Sequence, residues 1–315
     1  MNAPSLALDF ARNGAAAGKG SRIAVLRVAI AYRWRHGRWP RLTAPTLFTE
    51  WVQWRKLNDR DRGLATLTDK LHAKRMAAAT LGEAMVVPTL WQGEWLPDLP
   101  PAPLPLMLKA NHGCGQFRVI RSAAEWTAAK AVAPRWLDTV YGRWLDEWHY
   151  GAARRTLLIE PLIGDGETLP SDYKIYVFGG RAEIVQVHED RAGQHRWAQF
   201  DRDWCLRSRS NCEMPRPATL VDMLNAAEAL AAGRDFLRVD FYEVDGRALF
   251  GEFCLFPGSG LDPFDPVELD EDLGSCWSQV AVPRPGLGVA PQNPAGIWAP
   301  FQERIGSSVG RAFDS

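Results

Sequence analysis

The stretch FLRVDFYEVDGRALFGEF, residues 236–253, constrains the fold more than any other part of the chain. Two runs rich in aromatic and β-branched residues flank an Asp-Gly pair, which is the composition of a hairpin. Side chains two apart on a strand leave the same face, so Arg238 and Asp240 share a face, as do Glu252 and Cys254 on the partner strand. A three-residue turn (Asp245, Gly246, Arg247) sets Asp240 opposite Glu252 and Arg238 opposite Cys254. A two-residue Asp-Gly turn puts the carboxylates on opposite faces instead. Opposed carboxylates repel unless a proton or cation lies between them. Mg²⁺, held by one or two carboxylates plus substrate phosphates, suits such a pair. A solvated hairpin with unrelated acids explains the same residues equally well.

Other segments read as strands and hairpins more than as alternating βαβ units. LPLMLKA and FRVI are short strands around the glycine loop NHGCG, and TLLIEPLI is an apolar strand ending at Glu160. IYVFGGRAEIVQV is a hairpin turning at Gly179-Gly180. Helical patterns cover Asp69–Leu81, Ser122–Lys130, Arg135–Trp148 and Thr219–Ala232. The balance predicts an α+β chain with antiparallel sheets rather than a Rossmann sheet. Pro and Gly without periodicity after Gly274 predict a loosely packed tail.

The first third is rich in Trp and Arg, as in AYRWRHGRWPRL and LFTEWVQWRKLNDRDR. Trp51, Trp54, Leu57 and Asn58 follow helical spacing, with Thr49 as the expected cap. Such a segment can stack on nucleic-acid bases, or it can dock a Trp stripe on the rest of the protein. A formal net charge of zero favours docking and leaves nucleic acid out of the expected partners. The run Ile23–Tyr32 is interrupted by Arg27 and too short to span a bilayer, and no secretory signal is legible. The five cysteines lack metal-site or redox-pair spacing, so reduced thiols and a cytoplasmic location are expected.

Three further elements carry chemistry. Lys109 ends an apolar strand just before small residues whose N–H groups can approach an anion, although no Walker sequence follows. The strand ending at Glu160-Pro161 is shaped like a connector whose backbone can bond a purine edge. Asp172 and Lys174 share a strand face, as a ribose-hydroxyl acceptor beside a phosphate cation or as an ordinary salt bridge. The histidines have no mutual ligand spacing, and there is no GxSxG elbow.

In this order, LTAPTLFTEWVQWRKLNDRD, LTDKLHAKR, LPLMLKANHGCG, LLIEPLI, SDYKIYVFGG, HEDR, LRVDFYEVDG, LFGEF and FPGSG resemble the ATP-grasp superfamily, and more closely its TupA-like branch, over about 42–272. The resemblance implies two α+β lobes with antiparallel sheets clasping ATP: a helical N-terminal segment (1–66), a small lobe with the glycine loop (67–160), a large lobe with the metal site (161–274) and a tail (275–315). It implies Lys70 and Lys109 on the ATP phosphates, with His112, Gly113 and Gly115 in a flap over them. Glu160, Pro161 and Leu162 fall at the adenine hinge and Asp172 at the ribose. Lys174, Arg191 and Arg238 become cations facing phosphate or the reacting carboxylate. Asp240 and Glu252 become Mg²⁺ ligands, while Pro257, Gly258, Ser259 and Gly260 form a loop holding an acceptor carboxylate. Cys254 stands where the family often has a third ligand, Asn, and Cys114 where a flap serine is usual.

By the same resemblance, the reaction is carboxylate–amine ligation through an acyl phosphate, with ATP and Mg²⁺ as cofactors. The TupA-like branch implies an acidic cell-surface polysaccharide or its precursor as acceptor, and association with polysaccharide-assembly enzymes. A sugar phosphotransferase and a non-catalytic nucleotide-binding scaffold are the alternatives.

Overall fold

A computed structural model of the chain describes residues 22–164, 168–189, 195–209 and 214–281. Strands β1 (Trp91–Gly93), β2 (Leu106–Ala110), β3 (Phe117–Ile120) and β4 (Leu157–Pro161) form one sheet in the order β1-β4-β2-β3. Strands β5 (Asp172–Phe178), β6 (Arg181–Glu189), β7 (Arg196–Asp201), β8 (Phe236–Val244) and β9 (Arg247–Cys254) form a second, ordered β7-β6-β5-β8-β9. Every ladder within the two sheets is antiparallel, so the chain has the α+β class its hairpins predict. The helices are α1 (Arg22–His36), α2 (Phe48–Asn58), α3 (Arg62–Thr66), α4 (Lys70–Leu81), α5 (Ala123–Asp138), α6 (Leu220–Ala231) and α7 (Val267–Val280). Among the described residues, no helix is long and apolar enough to cross a membrane.

Each sheet has its own core. Helix α5 covers the first through Trp126, Ala129 and Ala133, packed with Leu106, Leu108 and Ile120. The second sheet packs against α2, α6 and α7, where Phe48, Trp51 and Trp277 meet Phe178 and Phe236. Fully burying an aromatic side chain of this kind stabilises by about 2–3 kcal/mol.

Four expectations are corrected here. First, α2 does not lay a Trp stripe on a finished body; it is buried on every side from Phe48 to Leu57. Arg55, for example, is enclosed by Asp235, the Phe236 carbonyl and the Trp277 ring, and an aligned guanidinium makes its burial tolerable. The helix is capped not by Thr49 but at Leu47, whose N–H donates to the Glu50 carboxylate.

Second, the two helical stretches expected at 122–130 and 135–148 become one helix, α5, which continues through Pro134. Beyond Asp138, left-handed backbone at Gly142 and Asp146 allows only short 3-10 turns. Third, α7 runs to Val280, past the expected start of a tail at Ser275; residues 282–315 lie outside the described residues. Boundaries at 160/161 and 274/275 therefore each cut an element, β4 and α7.

Fourth, the β8–β9 turn is the two-residue Asp245-Gly246, with φ of 52° and 67°, because Val244 pairs directly with Arg247. Asp240 nevertheless pairs with Glu252, and Arg238 with Cys254. Phe241 faces Phe250 while Asp240 faces Glu252, so Gly251 is left over as a bulge. The residue that restores the register sits in the strand rather than in the turn. Glycine fits closely there: a Cβ on Gly251 would lie 3.1 Å from the Asp240 carbonyl oxygen, so a side chain would press on that backbone.

Candidate functional site

One face of the second sheet carries a row of charge. Strand β5 supplies Asp172 and Lys174, β8 supplies Arg238 and Asp240, and β9 supplies Glu252, since alternate residues share a face. Lys174 Nζ donates to Asp172 Oδ2 at 2.7 Å and to Asp240 Oδ2 at 2.6 Å. Arg238 grips both Asp240 oxygens, Nε to Oδ1 and Nη2 to Oδ2, each at 2.7 Å. Burial pushes the Asp240 carboxyl up, but Arg238 and Lys174 outweigh it and hold it below the usual carboxylate range.

Glu252, 30% exposed, is approached by Lys70 from the first turn of α4, at 3.3 Å. Burial and the neighbouring Asp240 raise this carboxyl, and Lys70, Lys174 and Arg238 together outweigh them, so Glu252 is held below its ordinary value. Lys70 Nζ donates to the Gly113 carbonyl oxygen at 2.6 Å, tying the glycine loop to the same corner.

Across from this row, the first sheet contributes a second charged knot. Glu160 is buried, with Lys109 Nζ 2.6 Å from one carboxylate oxygen and Lys74 Nζ bonded to the other. Burial opposes the charge on Glu160, and the two lysines more than compensate. Between the two sheets lies an open cleft. Val87, Met107, Phe117, Leu162, Leu169 and Tyr242 give it apolar walls, while Lys109, Glu160 and Asp172 line its polar part.

The loop Pro257–Gly260 is an unusual turn, with φ of 52°, 58° and 63° at Gly258, Ser259 and Gly260. Left-handed backbone at Ser259 is costly unless surroundings fix it, and α2 does so. Gln53 Nε2 donates to the Ser259 and Gly260 carbonyls at 2.9 and 3.0 Å. Lys56 Nζ donates to the Ser259 carbonyl oxygen and to its hydroxyl, both at 2.6 Å. A Cβ at Gly260 would lie 2.9 Å from the Thr49 carbonyl, so only glycine allows so close an approach to α2.

The structure thus brings Lys70, Lys109, Glu160, Asp172, Lys174, Arg238, Asp240 and Glu252 to the two sheets that face one another. His112 is buried in the glycine loop, and its ring bonds the Trp136 carbonyl at 2.9 Å. At the expected hinge, Pro161 has no N–H and the Leu162 N–H points to the Pro105 carbonyl at 3.3 Å. Arg191 lies outside the described residues. Lys74 is the residue sequence reasoning missed. Its spacing of four from Lys70 on α4 puts both on one helix face, and that was the available signal.

The donor set suits a hard cation with anionic substrate. Among the described residues there is no group of three or more His, Cys, Asp or Glu that could hold a metal ion. Two ionised carboxylates meet the needs of Mg²⁺ when phosphate oxygens complete its shell. Burial pushes the Cys254 thiol up to about 12, so it is protonated at neutral pH. An apolar-walled cleft with cations at its edge fits a nucleotide in the same way.

The TupA-like ATPgrasp family model matches residues 50–278. Among solved structures, a D-alanine–D-alanine ligase from Bacillus anthracis complexed with ATP is 16% identical, with a TM-score of 0.43, covering 66% of this chain and 61% of that one. An L-amino acid ligase from Bacillus licheniformis is 12% identical with a TM-score of 0.41, covering 63% and 43%. A D-alanine–D-alanine ligase from Helicobacter pylori is 14% identical with a TM-score of 0.41, covering 70% and 60%. The chain therefore spans about three fifths or less of the length of these structures. No curated protein matches.

Proposed function

We propose, on the premise that the chain belongs to the TupA-like ATP-grasp family, that it is an ATP-dependent carboxylate–amine ligase. The observation that carries this reading is the Asp240–Glu252 pair, held opposite one another and flanked by Lys174, Arg238 and Lys70, beside a cleft whose polar part is lined by Lys109, Glu160 and Asp172. A carboxylate oxygen of the acceptor attacks the γ-phosphorus of ATP and ADP leaves. The amine then attacks the acyl carbon, inorganic phosphate leaves, and the amine loses a proton. Mg²⁺, when bound to Asp240 and Glu252, supplies charge neutralisation at the phosphates.

The chain's own residues supply the rest. Lys70, Lys109 and Lys174 offset phosphate charge, and Arg238 orients the reacting carboxylate in a fixed fork. Asp172 accepts from the ribose, and the carbonyl oxygens at Glu160–Leu162 face the purine edge. The loop Pro257–Gly260 holds the acceptor. No protein nucleophile is needed. The acceptor we propose is a uronic or glutamyl carboxylate of a cell-surface polysaccharide or precursor, and an amino acid is the amine. A reaction that consumes ATP fits the cytoplasmic side.

The test is phosphate release from Mg-ATP with uronic acids and amino acids offered singly and in pairs. Release that needs both a carboxylate and an amine supports ligation, while stable phosphorylated sugar means phosphotransfer instead. Glu252→Gln should abolish turnover without unfolding, because Glu252 is partly exposed. A folded Glu252→Gln protein consuming ATP at the wild-type rate would sink the metal assignment, and nucleotide binding without turnover on any pair would indicate a scaffold.

A further inference from the structure

Helix α1 has two apolar faces, and among the described residues only one of them is covered. Val28 and Tyr32 are buried against the body, and Arg27 is anchored to Asp146 at 2.7 Å. On the other side Ile23, Leu26, Ile30 and Trp34 are 70%, 58%, 52% and 80% exposed. At 3.6 residues per turn these four fall within an arc of roughly 80°, so they form a stripe rather than scattered contacts. Soluble surfaces rarely leave such a stripe uncovered.

The charge around it is one-sided. Between Phe10 and Thr49 there is no Asp or Glu, although the whole chain balances to zero. Arg27, Arg35, Arg38 and Arg41 turn toward the body, where they meet Asp146, Asp262, Asp270 and Glu50. Arg22 and Arg33 are exposed along the margin of the apolar stripe, and among the described residues neither takes part in an ion pair. Trp39, just beyond the helix, is 61% exposed.

We infer that α1 docks the protein on an anionic lipid surface, with Ile23, Leu26, Ile30 and Trp34 entering the interface and Arg22 and Arg33 meeting lipid phosphates. The charge decides the occupant: an acid-free, arginine-edged apolar stripe complements a negatively charged bilayer, and Trp favours the headgroup level. The helix lies in the plane of the surface and does not span it. The inference goes beyond the ligase reading and stands or falls separately from it.

The test is co-sedimentation of the full chain with vesicles of phosphatidylcholine alone and of phosphatidylcholine with one quarter phosphatidylglycerol. Binding to the anionic vesicles alone, released by salt, is the expected result. Arg22→Gln and Arg33→Gln should each lower the partition coefficient about fivefold. Ile30→Asp and Trp34→Asp should lower it at least about tenfold, with thermal melts and phosphate release in buffer unchanged. The inference is overturned if the chain stays in the supernatant, if it binds both vesicle types equally, or if the four variants bind as the wild type does. It is also overturned if sedimentation velocity shows a dimer that Trp34→Asp disperses, because a second copy then covers the stripe.

Discussion

Lys70 Nζ stands 3.3 Å from Glu252 Oε2, so a cation from the first turn of α4 already occupies the corner where the proposed metal carboxylate lies. Its other contact is the Gly113 carbonyl oxygen in the glycine loop. Lys70→Met removes the cation with the largest effect of the three that hold the Glu252 carboxyl down, so that carboxyl titrates at higher pH. The acidic limb of the pH profile for phosphate release should move up accordingly. KM for ATP should rise by about tenfold, the size of one lost charge-assisted contact. Steady-state kinetics across pH check both effects; an unmoved acidic limb would separate Lys70 from Glu252.

His149 gives a stability prediction with a definite sign. It is fully buried between Trp148 and Phe256, and neither ring nitrogen has a hydrogen-bond partner among the described residues. Burial lowers its pKa to about 3 in the folded chain, against 6.5 when unfolded. The unfolded chain therefore takes up a proton first as pH falls, and stability present above 6.5 drains away between 6.5 and 3. At about 1.4 kcal/mol per pH unit, His149→Phe should lose about 2 kcal/mol less than wild type between pH 7.5 and 5. Urea denaturation at the two pH values measures the difference.

Arg55→Met should destabilise the chain by about 3–5 kcal/mol, because it removes the fully buried cation that lies beside buried Asp59 and half-buried Asp235. Asp235 keeps its Trp277 Nε1 and Phe236 N–H donors at 2.9 and 2.7 Å. Arg55→Met combined with Asp235→Asn should therefore recover part of the loss. Denaturant midpoints of the single and double variants test this.

Gly251→Val should reduce phosphate release at least about tenfold while costing about 1–3 kcal/mol of stability, since its side chain would press on the Asp240 backbone. Deleting Gly251 should do less harm. By residue count from the Asp245-Gly246 turn, Glu252 then lands opposite Asp240 in a regular ladder. Comparing turnover of the two variants distinguishes a need for register from a need for glycine itself.

Much of the site was legible because it depends on local periodicity. Strand alternation placed Arg238 with Asp240 and Asp172 with Lys174, and composition gave both hairpins. What stayed hidden depends on contacts between distant segments. Thr49 looked like a cap, but its N–H and hydroxyl go to Asp270, 221 residues away. Gln53, Arg55 and Lys56 carry no local signal of burial, and only the fold reveals the partners that allow it. The pairing of Glu160 with Lys74 and Lys109 likewise joins α4, β2 and β4.

The Gly251 bulge also has a consequence for comparing this chain with others. A longer turn with a regular ladder and a tight turn with a bulge bring the same two acids together, so the extra residue is fixed in number but not in place. A homologue can carry it at the tip or in the strand without losing the pair. The number of residues from Asp240 to Glu252 is the same in both arrangements, so alignments of this hairpin should carry no net gap between the two acids. A single gap placed anywhere from 245 to 251 would shift the second acid by one residue and make a complete site look broken.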